Sequence, residues 1–379
     1  MSRFADQPET ARLDLAERCA QALEQFAATA QETVEEDGVK PLDDSSLGEL
    51  ARLIEGLQRY GERAGQEILA KVVLDMSTRM SSLGALTLAA TLVGHAREGV
   101  REASEGTRGL LLVEQARLTR LLGNLDESEM LYAQLHAIGE RAHDDVLLAR
   151  AAIGRGVIAR VRGNYPKART LFLEGLDLSE RAGSAELQRF AHQGVFVVAA
   201  VAEEWEEALR HGWLALVLGS GNPEHEAEAL INLAHVSLGA GYPRAALHAT
   251  LKALPNASDL RMQLPALGTA VVAAARCDER SILDHLAARL ENALSGSSLP
   301  FEGAQALLSL ARAFDEVGLR SRADAARERA LRIAEEHEFH ELVHKAQTDE
   351  LTRTGVAVET RELDQQTREV VSNLETLEY

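Results

Sequence analysis

The sequence has few aromatic residues, few cysteines and no long apolar run. Aromatic residues make up 4% of the 379 positions, although 46% of the residues are hydrophobic. The apolar content is therefore mostly Ala, Leu and Val, which favours closely packed helices over β-strands. Two cysteines, Cys19 and Cys277, cannot build a disulfide framework and are typical of a reducing cytosol. The longest apolar stretches, 194–202 and 267–275, are about half as long as a bilayer-spanning helix. We therefore expect a cytoplasmic protein that does not insert into a membrane.

Positive charge is also scarce. The chain has 40 Lys and Arg residues against 59 Asp and Glu residues, a formal net charge of −19. Proteins that bind nucleic acids or anionic membranes through phosphate groups need clustered basic side chains. This balance argues against both as general partners, although it leaves room for a local basic patch. The sequence has no phosphate-binding glycine loop, dinucleotide fingerprint or nucleophile elbow, so we predict neither a cofactor nor an enzymatic activity.

A short turn motif recurs at nearly constant spacing. Its clearest copy is GNYPKA at residues 163–168, followed by the aromatic Phe172. Related segments begin at positions 84, 123, 163, 203, 240, 276 and 318. Each interval has room for two helices of roughly 12–16 residues joined by short turns, which predicts antiparallel helical hairpins stacked in an α-solenoid.

Small and aromatic residues occupy fixed positions around these turns. The matching residues are Gly156, Gly163, Tyr165, Ala168 and Phe172 in the clearest copy, Ala116, Gly123 and Tyr132 in the copy before it, and Ala311, Gly318, Ala323 and Ala330 in the last copy. The pattern resembles the tetratricopeptide repeat over residues 66–346. The period here is about 39 residues rather than 34, and the closing proline is missing. Long, proline-poor repeats of this kind resemble the repeat lobes of bacterial regulators and signalling adaptors.

The resemblance implies an all-α fold, a right-handed α-solenoid of about seven antiparallel hairpins, over residues 45–346. Residues 1–44 are predicted to form an N-terminal capping helix and a linker, and residues 347–379 a second linker and an amphipathic helix. The apolar stripe of that last helix consists of Leu363, Val370, Leu374 and Leu377. The helix either caps the repeats or serves in docking or self-association.

The first helix of each hairpin lines a groove in tetratricopeptide arrays, so the resemblance implies which positions face a ligand. Counting back from the turns at Gly123 and Gly163 places four arginines on two adjacent repeats. These residues are Arg117, Arg120, Arg150 and Arg160. Guanidinium groups bind carboxylates in a bidentate manner, so the cluster predicts a partner protein or peptide with an acidic segment.

The same count on the next repeat predicts an adjoining subsite made of Phe190, Gln193 and Val197. Its apolar side chains suit a Leu or Phe of the same partner segment. An alternative keeps the arginines structural, because each could pair with a carboxylate of an adjacent helix, such as Glu114 or Glu186.

One motif, H-E-x-x-H, matches a zinc peptidase signature. On a helix, His340 and His344 share a face and suit zinc ligation, with Glu341 as the general base. Glu362 has a spacing that resembles the third ligand of gluzincin peptidases. However, no strand-like run precedes the motif, and a packing stripe runs through it. That stripe consists of Phe339, Leu342 and Val343. We therefore favour structural histidines and predict no bound metal.

Together these features predict a non-enzymatic scaffold, adaptor or regulatory protein that holds a partner segment in its groove. One alternative is a sensor of a small ligand or signalling peptide. A second alternative is a zinc hydrolase that uses the motif at residues 340–344.

The zinc alternative is tested by metal content. Protein purified without added metal is expected to contain far less than one zinc per chain, because the motif lies on a packing helix with no accompanying strand. Elemental analysis measures this. One equivalent of zinc, with a hydrolase activity that Glu341→Gln abolishes, would establish the peptidase instead.

Overall fold

The computed structural model describes most of the chain from residue 63 onward. The described residues are 63–82, 86–101, 103–257, 259–295, 299–351 and 363–377. They form sixteen α-helices and one 3-10 turn at Leu254–Asn256, and they contain no β-strand. The predicted N-terminal helix and linker at residues 1–44 and the predicted turn at position 84 lie outside the described residues.

The chain divides into two compact units, Met1–Leu187 and Gln188–Tyr379. The described helices of the first unit are α1 (Arg63–Ser82), α2 (Leu86–Gly99), α3 (Glu105–Leu121), α4 (Leu125–Ala142), α5 (Asp145–Val161) and α6 (Tyr165–Arg181). Helix α7 (Ala185–Val201) begins at the end of the first unit and continues into the second. The other helices of the second unit are α8 (Trp205–Leu218), α9 (Pro223–Gly239), α10 (Pro243–Ala253), α11 (Leu260–Arg276), α12 (Arg280–Ser295), α13 (Pro300–Glu316), α14 (Arg320–Glu336), α15 (His340–Leu351) and α16 (Gln365–Glu375).

Successive helices pair as antiparallel hairpins within each unit. In the first unit the pairs are α1–α2, α3–α4 and α5–α6, and the first helices α1, α3 and α5 also pack side by side. In the second unit the pairs α9–α10, α11–α12 and α13–α14 follow the same scheme. The predicted all-α solenoid fold of tetratricopeptide-like hairpins is confirmed. Within the part of the chain that the structure describes, none of the helices combines the length and the apolar character needed to cross a bilayer.

A residue in the left-handed conformation ends the first helix of each hairpin whose turn the structure describes. Gly123, Gly163 and Gly318 have φ angles of 88°, 74° and 80°. The next N–H then bonds a carbonyl five residues back, as from Asn164 to Ala159 at 2.8 Å. This cap satisfies a carbonyl that the helix end would leave open, and glycine adopts the required φ without a Cβ penalty.

Two of these turns differ in register from the sequence-based count. The left-handed residues are Gly241 and Asp278, one and two positions after the expected 240 and 276. Glu203 and Asp278 adopt φ angles of 57° and 56° without being glycine. At Glu203 the predicted position was right. At the other two turns it was wrong, because the motif was started at Ala240 rather than at Gly241, and no glycine marks the turn at Asp278.

Glycines on α5 make room for aromatic rings from both neighbouring second helices. A Cβ on Gly154 would lie 2.2 Å from the ring of Tyr132 on α4, and one on Gly156 would lie 2.8 Å from the ring of Phe172 on α6. Both rings are buried, with exposed fractions of 4% and 1%. Helix α5 therefore lies between two rings, and both rings pack against its backbone.

The C-terminal helix packs on its own chain. Helix α16 contacts the second helices α8 and α10 of the second unit. The predicted apolar stripe lies in that contact together with Val371, which the prediction omitted. Asp364 caps α16 by accepting from the Thr367 N–H at 2.8 Å and forms an ion pair with Arg210 of α8. Self-association through this helix stays a prediction.

The contact between the Tyr132 ring and Gly154 of α5 leads to a prediction about stability. Gly154→Ala should lower the free energy of unfolding by about 1–3 kcal/mol, because the new methyl group overlaps the ring and forces a shift of the helix or of Tyr132. Gly106→Ala is the matched control, since a Cβ there meets no atom within 4 Å and should leave stability unchanged or slightly raised. Urea denaturation of both variants measures the difference. Equal stabilities would contradict the packing.

Candidate functional site

The predicted groove positions of the first unit form a half-buried stripe on two adjacent helices. Arg117 and Arg120 lie on α3, and Arg150 and Arg160 lie on α5. All four are half-buried, and α3 and α5 pack against each other. We call this stripe, with the positions between the arginines, the groove face of the first unit.

Arg117 is held by a carboxylate of its own helix. Its Nε and Nη2 donate to the two carboxylate oxygens of Glu114, both at 2.8 Å, and Nη2 also donates to the Ser81 hydroxyl at 2.8 Å. Glu114 is 8% exposed and accepts a further hydrogen bond from Ser77. Burial raises the pKa of Glu114, but the hydrogen bonds from Arg117 and Ser77 outweigh it and leave this pKa below its usual value. Arg117 therefore balances a buried charge and has a structural role.

Arg150 has a weaker partner. Its guanidinium lies 3.5 Å from the carboxylate of Glu186, whose side chain is 60% exposed. Such an exposed pair contributes about 0–1 kcal/mol and exchanges easily for another carboxylate. The Nε of Arg150 is buried with no hydrogen-bond partner among the described residues.

Arg120 and Arg160 have no carboxylate partner among the described residues. Burial lowers the pKa of Arg120, and the neighbouring charges of Arg117 and Arg160 lower it further, whereas the nearby Tyr132 hydroxyl raises it. The Nε of Arg120 is buried without a partner in the described part of the chain. The groove face thus holds two neighbouring guanidinium groups that an anion would stabilise.

A fifth arginine of this unit lies on another face. The Nε of Arg155 is also buried without a partner in the described structure. It is five residues from both Arg150 and Arg160, which places it about 140° around α5 from each of them. It therefore does not belong to the groove face.

The predicted subsite residues lie on α7 in the second unit. Phe190 is 39% exposed, and Gln193 donates from its amide nitrogen to Glu228 at 3.1 Å. Val197 packs partly against the apolar core of this unit. Their i, i+3, i+7 spacing puts all three on one side of α7. Whether this side adjoins the groove face of the first unit stays a prediction.

The sequence analysis missed Arg189, which precedes Phe190. Arg189 is 9% exposed, and its guanidinium carbon lies 4.3 Å from the centroid of the Phe190 ring. It forms no hydrogen bond or ion pair among the described residues. The slot that it lines also contains Gln193, Phe196, Gly212, Ala215, His225, Glu228, Ala229 and Asn232. The predicted groove positions cover only one side of α7, and the buried Arg189 lies just outside that side.

A histidine pair lies beside this subsite. The Nδ1 atoms of His192 and His211 are 2.8 Å apart, so one ring must donate and the other accept. Burial lowers the pKa of His192. Burial therefore favours the neutral form of His192, and we assign the pair no ligand.

The H-E-x-x-H motif lies at the start of α15. Its packing stripe, which includes the 1%-exposed Leu342, joins the apolar cluster of α13 and α14. His340, Glu341 and His344 are exposed. No group of three or more His, Cys, Asp and Glu side chains suited to a metal occurs among the described residues. Glu362, the proposed third ligand, lies outside them, so the metal site stays untested.

The stacked hairpins and their turn geometry define a helical-repeat protein. A family model described as tetratricopeptide repeat matches residues 107–181, which span nearly all of α3 to α6. This match shows tetratricopeptide repeats at residues 107–181, and the fold of the described residues is of the same type.

Solved structures align with the chain at low sequence identity. A signal transduction ATPase with numerous domains from Pyrococcus horikoshii, which has a tetratricopeptide repeat sensor, aligns with a TM-score of 0.60 and 13% identity over 87% of this chain and 50% of that chain. A Rap protein complexed with competence and sporulation factor aligns with a TM-score of 0.49 and 14% identity over 86% of this chain and 98% of that chain. The apo form of the quorum sensor NprR from B. thuringiensis aligns with a TM-score of 0.46 and 12% identity over 85% of this chain and 99% of that chain. A comparison with curated proteins finds no match.

The two kinds of arginine should differ in their effect on stability. Arg117→Gln is expected to lower the free energy of unfolding by about 1–3 kcal/mol, because it leaves the buried Glu114 carboxylate without its cation. Arg160→Gln removes no partnered contact and should change it by less than about 0.5 kcal/mol. Urea denaturation of both variants is the measurement. A comparable loss in Arg160→Gln would assign that residue a structural role.

Proposed function

We propose that the chain is a non-enzymatic interaction protein of the cytoplasm, a scaffold, adaptor or regulator that binds an acidic segment of a partner protein. The neighbouring guanidinium groups of Arg120 and Arg160 carry the proposal. In a chain with a net charge of −19, a pair of cations without carboxylates is costly unless an anion binds there. A partner carboxylate would relieve their repulsion and fill their open hydrogen-bonding positions.

Apolar side chains on the groove face support a peptide rather than a free ion. Val113 lies about one helical turn before Arg117 on the same side of α3, and Ile153 and Val157 lie on α5 between its two arginines. All three are half-buried. A segment with an acidic residue beside a large apolar residue would therefore bury apolar surface and satisfy the arginines together.

The second unit offers a similar combination. Arg189 supplies a nearly buried cation without a carboxylate partner among the described residues, and Phe190 supplies exposed aromatic surface. Glu228 is already engaged by Gln193. We propose this place as a second contact for an acidic partner, tested separately from the first.

Peptide display tests the function and requires no assumption about which protein is the partner. The full chain is immobilised and panned against a random peptide library. The enriched sequences should contain Asp or Glu next to a large apolar residue. The affinity of a synthetic peptide of this type should fall about tenfold, roughly 1.4 kcal/mol, in the double variant Arg120→Gln/Arg160→Gln.

The control is a variant with the same change of charge. Arg181 and Arg329 are exposed and paired with carboxylates, so Arg181→Gln/Arg329→Gln should bind as the wild type does. Enriched peptides without acidic residues, or equal losses in both variants, would refute the site. If no peptide is enriched but a small molecule raises the melting temperature saturably, the chain is a small-ligand sensor.

A further inference from the structure

A cavity of about 200 Å³ lies in the first unit, apart from the groove face. It forms where the C-terminal ends of α2 and α4 meet the N-terminal half of α3. Its lining residues are Arg97 of α2, Glu105, Arg108, Leu111 and Leu112 of α3, and Gln134, Ile138 and Arg141 of α4. The cavity therefore combines three guanidinium groups with an apolar floor.

This cavity opens on the side of α3 that faces away from the groove positions. Successive residues of a helix advance by about 100° around its axis, so Arg108, Leu111 and Leu112 lie roughly opposite Arg117 and Arg120. The two sites share no lining residue, and an inference about the cavity does not depend on the proposed function.

The charges around the cavity do not balance. Arg108 lies 3.7 Å from the carboxylate of Glu105, an exposed pair. Arg97 and Arg141 have no hydrogen bond or ion pair among the described residues. Burial lowers the pKa of Arg97, and the nearby Glu98 offsets this only in part. Three arginines thus line the cavity beside a single lining carboxylate, Glu105, and the carboxylate of Glu98 lies near Arg97. The arginines outnumber these carboxylates, which favours an anionic ligand.

We propose that this cavity binds a small phosphomonoester. Guanidinium groups form bidentate hydrogen bonds with phosphoryl oxygens. A phosphomonoester carries about −1.5 to −2 charges at neutral pH and three acceptor oxygens, which suits three arginines better than a single carboxylate does. Leu111 and Leu112, 0% and 3% exposed, and Ile138 form the floor, which suits the organic part of the ligand.

Calorimetric titration of the full chain tests this assignment with defined probes. Phenyl phosphate should bind saturably with one site per chain. Inorganic phosphate, which lacks the apolar group, should bind about tenfold more weakly, and benzoate, with one charge, about tenfold more weakly as well. The affinity for phenyl phosphate should decrease as the pH falls below about 6, where the dianion takes up a proton.

Variants locate the binding. Arg97→Gln and Arg141→Gln should each weaken phenyl phosphate at least about tenfold. The groove variant Arg120→Gln/Arg160→Gln and the surface variant Arg181→Gln should bind it as the wild type does. Arg141 is exposed, so its variant decides the matter if Arg97→Gln proves unstable by melting.

Three results would overturn the proposal. They are no saturable binding of phenyl phosphate at millimolar concentration, equal affinities for phenyl phosphate and benzoate, and unchanged affinity in both cavity variants. Loss of phenyl phosphate binding in the groove variant alone would also refute the cavity, and it would show that the groove face takes small anions.

Discussion

The close crossing of α5 with its neighbours is the contact on which the first unit depends. Gly154 and Gly156 carry no side chain where the rings of Tyr132 and Phe172 press against the helix. Because these rings contact the backbone of α5, a small rotation or translation of the helix would make its atoms overlap with the rings. The direction of every side chain on α5, including Arg150 and Arg160, is therefore set by two buried aromatic contacts.

The distribution of carboxylates then decides what each arginine does. Arg117 is committed to Glu114 within its own helix, and its third hydrogen bond reaches Ser81, 36 residues away. The hydroxyl of Tyr132 instead raises the pKa of Arg120, so the residue that locates α5 also lies close to a groove arginine. Packing and charge are linked through Tyr132, because its buried hydroxyl needs a polar partner.

In the second unit, the C-terminal helix α16 covers one side of the second helices α8 and α10. Val370, Val371 and Leu374 of α16 are buried against the core that includes α8 and α10. An isolated helix of eleven residues is marginal in water, so α16 depends on this contact for its stability. The ion pair between Asp364 and Arg210 sets its direction at the N-terminal end. Helix α16 thereby shields from water the apolar side chains of the second helices that it covers.

Two predictions that rest on local periodicity hold. The turn motif predicted the hairpins, and the spacing of Leu363, Val370, Leu374 and Leu377 predicted the apolar side of α16. Asp278 shows the limit of this approach, because the left-handed residue at that turn is not a glycine and the motif did not locate it. The place where α16 docks did not follow from its stripe, since an amphipathic helix specifies an apolar partner but not which one.

The sequence by itself determined that the chain folds into helical hairpins and which side of each helix packs, because both depend on residues a few positions apart. Only the tertiary structure decided which arginines are neutralised. Charges interact strongly only within a few ångströms in partly buried sites, and the relevant neighbours lie on different helices. The cavity at Arg97, Arg108 and Arg141 has the same origin, since its three cations come from three helices and follow no periodic pattern.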